Sequence, residues 1–163
     1  MKIEFISTGN NLDIPQEFSN LNSVFNGSWQ EATYSFKAAN EVRLNQGRNL
    51  KVGKQADLNN VLEERLIAAG WSGSDGRFFQ SGNWLRYSFR HSMSLGSDFL
   101  DAYRMHKIEK FEKIALVYGS EKLLKEIWPG GGGALCSFEK AESYWSQFEN
   151  ILKMPLWLGK LEL

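Results

Sequence analysis

A single cysteine, two histidines and three prolines are all that this chain of 163 residues has of each. With Cys136 alone no internal disulfide can form, which suits a reducing compartment. His91 and His106 share no ligand spacing with Cys136, so no zinc site is expected. No stretch approaches the roughly 20 apolar residues that cross a bilayer. The opening MKIEFISTGNN has no apolar run after its lysine, so it does not read as a secretory signal. The expectation is a cytoplasmic protein with no membrane partner. An excess of charge is missing too. Nineteen basic residues balance nineteen acidic ones, so bulk charge gives no pull towards nucleic acid. The glycine run 130–133 has no lysine after it and reads as a connector, not a phosphate loop.

What is present is average globular composition, with 42% hydrophobic and 23% charged residues. That is enough for one folded domain spanning 1–163. The zero net charge is uneven along the chain. Residues 1–36 sum to −3, 37–57 to +3, 58–76 to −2, 77–113 to +3 and 114–163 to −1. Two basic blocks therefore flank one acidic segment, and an anionic partner could be met there.

Lys2–Ser7 reads as a short strand ending in a turn at Thr8–Asn11. Pro15–Phe25 spaces Phe18, Leu21 and Phe25 as a helix does. Ala32–Phe36 has strand-favouring Thr33, Tyr34 and Phe36. Ala38–Gln55 is polar and basic and is expected to be a long functional loop. Asp57–Ala69 is the clearest helix, with Asp57 as its cap, an apolar stripe through Leu58, Leu62 and Leu66, and Gly70 as its C-terminal stop. Ser72–Gly76 reads as a loop. Arg77–Gln80 and Asn83–His91 then make a hairpin around Ser81-Gly82.

Ser97 or Asp98 caps a helix to about Phe111, expected to bury Leu100, Tyr103, Ile108 and Phe111. Lys113–Tyr118 is a buried strand and Ser120–Trp128 a short helix. Ser137 starts a last helix with Phe138, Ala141, Trp145, Phe148 and Leu152 inward. Pro155 ends it before a strand from Leu156. This order predicts a mixed α/β fold, a central mixed sheet flanked by helices. Residues 1–57 supply N-terminal elements and the basic loop, and 58–163 the core.

The second hairpin strand carries the chemistry. Side chains alternate along it, so Leu85, Tyr87 and Phe89 share one face and Trp84, Arg86, Ser88 and Arg90 the other. Guanidinium forks suit phosphate oxygens, so Arg86 and Arg90 with Ser88 are candidate phosphate contacts. Arg43, Arg48, Lys51 and Lys54 would add backbone contacts, and Asn45, Gln46 and Asn49 could reach base edges. Ser92, Ser94, Gly96 and Ser97 precede a helix start, which an ordinary cap explains. The six tryptophans are read as packing residues. Candidate carboxylates are Glu63, Glu64, Asp75, Asp98 and Asp101, because Mg²⁺-dependent hydrolysis needs carboxylate oxygens converging on a metal. Nothing in their spacing fixes a metal site, and none is assigned.

From LNNVLEERLIAAGW through RFFQSGNWLRYSF and KIALVYG to PLWLGKLEL, the chain resembles restriction endonucleases of the PD-(D/E)XK superfamily, BglII-like branch. In that family a helix ending in Gly-Trp precedes a hairpin whose second strand reads Val-Glu-x-Gln-Phe, after an Asp on the first strand. With the family phenylalanine on Phe89, the glutamate position is Arg86 and the glutamine position Ser88. The aspartate position falls near Arg77 or Phe78. The resemblance thus implies the fold, a DNA partner and, by analogy, a homodimer, while the metal-binding carboxylates are replaced. Three functions are expected in turn. The first is a DNA-binding domain without cleavage, in a prokaryotic or phage defence setting and needing no cofactor. The second is an active Mg²⁺-dependent endonuclease with a relocated carboxylate site. The third is a subunit or inhibitor of a defence complex with no DNA affinity.

Overall fold

In a computed structural model that describes residues 1–8 and 13–163, the strands are β1 (Lys2–Thr8), β2 (Ser72–Ser74), β3 (Arg77–Gln80), β4 (Asn83–Ser88), β5 (Lys113–Gly119) and β6 (Leu156–Glu162). The helices are α1 (Gln16–Ser19), α2 (Leu21–Phe25), α3 (Ser28–Asn45), α4 (Gln55–Ala68), α5 (Leu95–Lys107), α6 (Glu121–Ile127) and α7 (Phe138–Leu152). The strands form one six-stranded sheet in the order β1-β6-β5-β4-β3-β2. β4, β5 and β6 run parallel, and β1 at one end and β3–β2 at the other run antiparallel. The mixed α/β architecture expected from the element order is therefore the one observed. The turn expected at Thr8–Asn11 lies outside the described residues beyond Thr8.

Both faces of the sheet are covered. Leu85, Tyr87 and Phe89 join Ala115, Val117 and Trp157 beneath α1, α2, α4 and α6. Trp84, Ile114, Leu116, Tyr118 and Leu158 lie on the opposite face beneath α5 and α7, against Phe99, Ala102, Ala141 and Trp145. All six residues of β4 are buried as a result. The face of β4 that alternation marks as polar is thus an interior face.

Four local expectations change. Residues 32–36 are helical, not a strand, because they lie in the middle of α3. Alanines at 32, 38 and 39 favour helix, and α3 packs along α4, where Arg65 reaches across to Glu31 at 2.8 Å. The expected loop 38–55 is likewise helix as far as Asn45, leaving only 46–54 as connector. Asn40 fastens that connector by accepting from the Lys51 amide at 2.8 Å and donating to its carbonyl at 3.2 Å. Ser72–Ser74, read as loop, is the edge strand β2. Asp57 does not cap α4. It sits in the first turn, pairs with Lys51 at 2.6 Å and meets the positive end of the helix dipole.

The largest change is the orientation of α5. Its buried residues are Leu95, Asp98, Phe99 and Ala102. Leu100 and Ile108, expected inside, are 66% and 67% exposed. The last turn of α4 follows expectation. Gly70 adopts φ +87°, and the Trp71 amide donates back to the Leu66 carbonyl at 3.0 Å. That reversal turns the chain into the hairpin that carries the candidate site.

Candidate functional site

The candidate site begins with the polar side of α4. Leu58, Leu62 and Leu66 bury one stripe of this helix. Gln55, Asn59 and Glu63, spaced by four, occupy another and line a cleft of about 500 Å³. Asp75, Gly76 and Arg77 close it at the β2–β3 turn, and Ser88 and Arg90 close it at the end of β4. Gly76 is required here. Its φ is +74°, and a β-carbon on it would lie 2.5 Å from the Tyr87 carbonyl oxygen. The Gly76 carbonyl accepts from the Tyr87 amide at 3.0 Å, which locks the turn to β4.

The cleft carries charge of both signs. The Glu63 carboxylate accepts from the Asp75 amide at 3.3 Å, so both acids stand on the same wall. Burial pushes the Tyr87 phenol well above its ordinary range, and the Glu63 and Asp75 charges push it further. Its hydroxyl donates to the Asn59 carbonyl at 3.2 Å. Arg77 and Arg90 are exposed beside these acids. Arg90 makes no ion pair of 4 Å or less among the described residues.

Behind the cleft lies an ion cluster. Arg77 and Arg86 are directly opposite each other across β3 and β4. Two like charges so placed repel unless something neutralises them. Asp101 bridges them, pairing with Arg77 at 3.0 Å and with Arg86 through its Nη1. Asp98 approaches Arg86 Nη2 at 2.6 Å through Oδ1, an off-line charge contact and not a hydrogen bond. Its other oxygen accepts from the Tyr118 hydroxyl at 3.3 Å. Arg86 is 2% exposed and Asp98 is fully buried. Burial raises the Asp98 carboxyl above its ordinary range, while Arg86 pulls in the opposite direction. The inverted face of α5 has its cause here, since a buried guanidinium needs carboxylates and α5 turns Asp98 and Asp101 inward to supply them.

Of the candidate residues, Glu63, Asp75, Ser88 and Arg90 come together in the cleft. Glu64 is exposed and lines no part of it. Asp98 and Asp101 are held by arginines. Arg86 does not lie on an open face. Both ends of its fork meet carboxylates, so it supports the cleft from behind. Arg43 and Arg48 lie outside the cleft, and the Arg43 Nε donates to the Asn49 carbonyl at 2.6 Å. Lys51 is engaged by Asp57, and Lys54 sits over the Trp29 ring at 4.6 Å. Asn45, Gln46 and Asn49 are exposed. The serines before α5 form a single tight turn in which His91 Nδ1 accepts from the Met93 amide at 3.3 Å.

Sequence reading missed Gln55, Asn59, Asn60 and Arg77 as cleft residues. The four-residue spacing of Gln55, Asn59 and Glu63 was the available signal, because it marks one continuous polar stripe on a helix. Among the described residues no group of three or more His, Cys, Asp and Glu side chains converges as a metal site would. Arg86 stands at the position where the resemblance expects one metal-binding carboxylate, and Arg77 or Phe78 at the other, so the acids left in the cleft are Glu63 and Asp75.

No protein-family profile matches the chain, and no curated protein does. Among solved structures, the restriction endonuclease BglII complexed with a DNA 16-mer is similar over 100% of this chain and 79% of its own, with a TM-score of 0.58 and 14% identity. No helix among the described residues is long and apolar enough to cross a membrane. What the likeness establishes is the architecture: the chain has a restriction-endonuclease-like fold.

Proposed function

We propose that this chain binds DNA through the cleft between α4 and the β3–β4 hairpin without cutting it, as part of a prokaryotic or phage defence system. The observation that carries this reading is the pair of facing hairpin arginines: Arg86 stands at the glutamate position of the resemblance, Arg77 at or beside its aspartate position, and Asp101 bridges the two. The binding surface is retained while the metal chemistry is not. Arg90 stands at the mouth with no ion pair among the described residues, and Arg77 shares its charge with Asp101. Both can donate paired hydrogen bonds to phosphate oxygens. Gln55, Asn59 and Asn60 present amides that suit base edges or sugar hydroxyls. Arg43, Arg48, Lys51 and Lys54 add salt-sensitive attraction at longer range. The fold likeness is to an enzyme that was itself captured on DNA.

One observation favours a second reading. Glu63 and Asp75 share the cleft wall, and two carboxylates can serve a Mg²⁺ ion that keeps most of its waters. A mobility-shift and cleavage assay, with and without Mg²⁺ and at two salt concentrations, separates the readings. Salt-sensitive binding without cleavage is the expected result. Mg²⁺-dependent nicking abolished by Glu63→Gln would establish the relocated nuclease site. Absence of binding at low salt would overturn both and leave a protein-interaction subunit, homodimerisation included.

A further inference from the structure

A second pocket of about 430 Å³ adjoins the main cleft along the first turns of α4. The two share Gln55, Ala56 and Asn59, so a ligand spanning the first turns of α4 reaches both. Trp128 forms its wall and is 42% exposed, whereas Trp71, Trp84, Trp145 and Trp157 are each under 5% exposed. The Trp128 indole is held in place before any ligand arrives. A β-carbon on Gly53 would lie 2.2 Å from its Cε3, and one on Gly131 would lie 2.1 Å from its Cδ1. Only glycine at both positions lets these two backbone segments close on the ring. The Lys54 amide donates to the Ile127 carbonyl at 2.8 Å, tying the connector to the end of α6 where Trp128 sits.

The lining of this pocket differs from that of the main cleft. Its single charge, Lys51, is balanced by Asp57, and Val52, Gly53 and Ala56 are apolar. A phosphate has little to gain there. A flat neutral ring with polar edges gains an indole face on which to stack and the Gln55 and Asn59 amides for its edge. Resting on the DNA-binding reading of the main cleft, we propose that Trp128 is a stacking platform for one unpaired nucleobase of the bound DNA. The glycines at 53 and 131 then serve to fix the platform, so stacking costs little ordering.

Equilibrium affinities for three labelled DNAs test this: a matched duplex, the same duplex with one base opposite an abasic site, and the single strand. The chain is expected to prefer the orphan-base duplex over the matched one by about tenfold, since that base costs little to extrude and its stacking is retained. Trp128→Ala removes the preference, and Trp128→Phe, which keeps a ring, retains most of it. A Trp128-dependent preference for the single strand would also support the platform and name the source of the base. Equal affinity for matched and orphan-base duplexes, with the single strand no tighter, overturns the platform and leaves the DNA-binding reading standing. So does a preference that Trp128→Ala leaves intact. No affinity for any of the three overturns both.

Discussion

Arg86 in β4 and Arg90, two residues past its end, live in opposite worlds. Arg86 is sealed beneath α5 with two carboxylates on its fork, and Arg90 stands exposed at the mouth of the cleft. The difference teaches what a buried charge demands. Outside, water screens a guanidinium and no partner is required. Inside, the fold must bring the countercharge along, and here a whole helix is turned so that Asp98 and Asp101 face inward while Leu100 faces solvent.

That contrast can be broken most forcefully at Arg86. Arg86→Ala strands Asp98 in the interior without its partner, and stability measured by urea unfolding is expected to fall by about 3–5 kcal/mol. The double change Arg86→Met with Asp98→Leu removes both charges and is expected to cost much less than the two single changes added together. Arg90→Ala, by comparison, should leave unfolding within about 0.5 kcal/mol of the parent.

A smaller effect sharpens the same point through pH. Because burial raises the Asp98 carboxyl, the folded chain holds that proton more tightly than the unfolded chain. The contribution of this group to stability is therefore largest below the ordinary carboxylate range and is lost as pH rises through its folded value. Without Arg86 the value rises further. The deficit of Arg86→Ala relative to the parent is expected to shrink as pH falls from neutrality towards the ordinary carboxylate range in urea titrations. A deficit that stays constant would show that Asp98 does not titrate in that window.

On the open side the readout is binding. Arg90→Ala should weaken duplex affinity by about three- to tenfold on every sequence and reduce the salt slope by about 0.9. The smallest effect belongs to Cys136, which lies under α7 on the closed face. Burial raises its thiol to about 12, with the Asp98 charge adding to the shift. It should be silent to thiol reagents in the folded chain and react at once in denaturant.

Where structure follows from neighbours in sequence, it was legible. The hairpin at 77–88, the Gly70 stop and the Ser137 cap of α7 all rest on residues within a few positions of one another. Alternation along β4 was also correct. What alternation could not tell is that a second layer of helices covers the polar face. The burial of α5 escaped for the same reason, since Leu100 and Tyr103 have the right spacing but the deciding residue, Arg86, lies on another element. In α3 the strand preference of Thr33 and Tyr34 was overridden by packing against α4. Trp128 was indistinguishable in sequence from the tryptophans of the core, because its exposure depends on two glycines, one of them 75 positions away.

The bridge from Asp101 to both hairpin arginines also constrains the history open to this chain. A single exchange of Arg86 for glutamate would gather three acidic groups around one point and leave Arg77 to answer them alone. Descendants on the way to a carboxylate at that position must first change Asp98 or Asp101, and each of those steps leaves the buried Arg86 with one carboxylate in place of two. A carboxylate at 86 needs a compensating substitution to arrive nearly together with it, so random single mutation keeps the strand as it is. A library mutated at 86, 98 and 101 and selected only for folding should return charge-matched combinations and few lone changes.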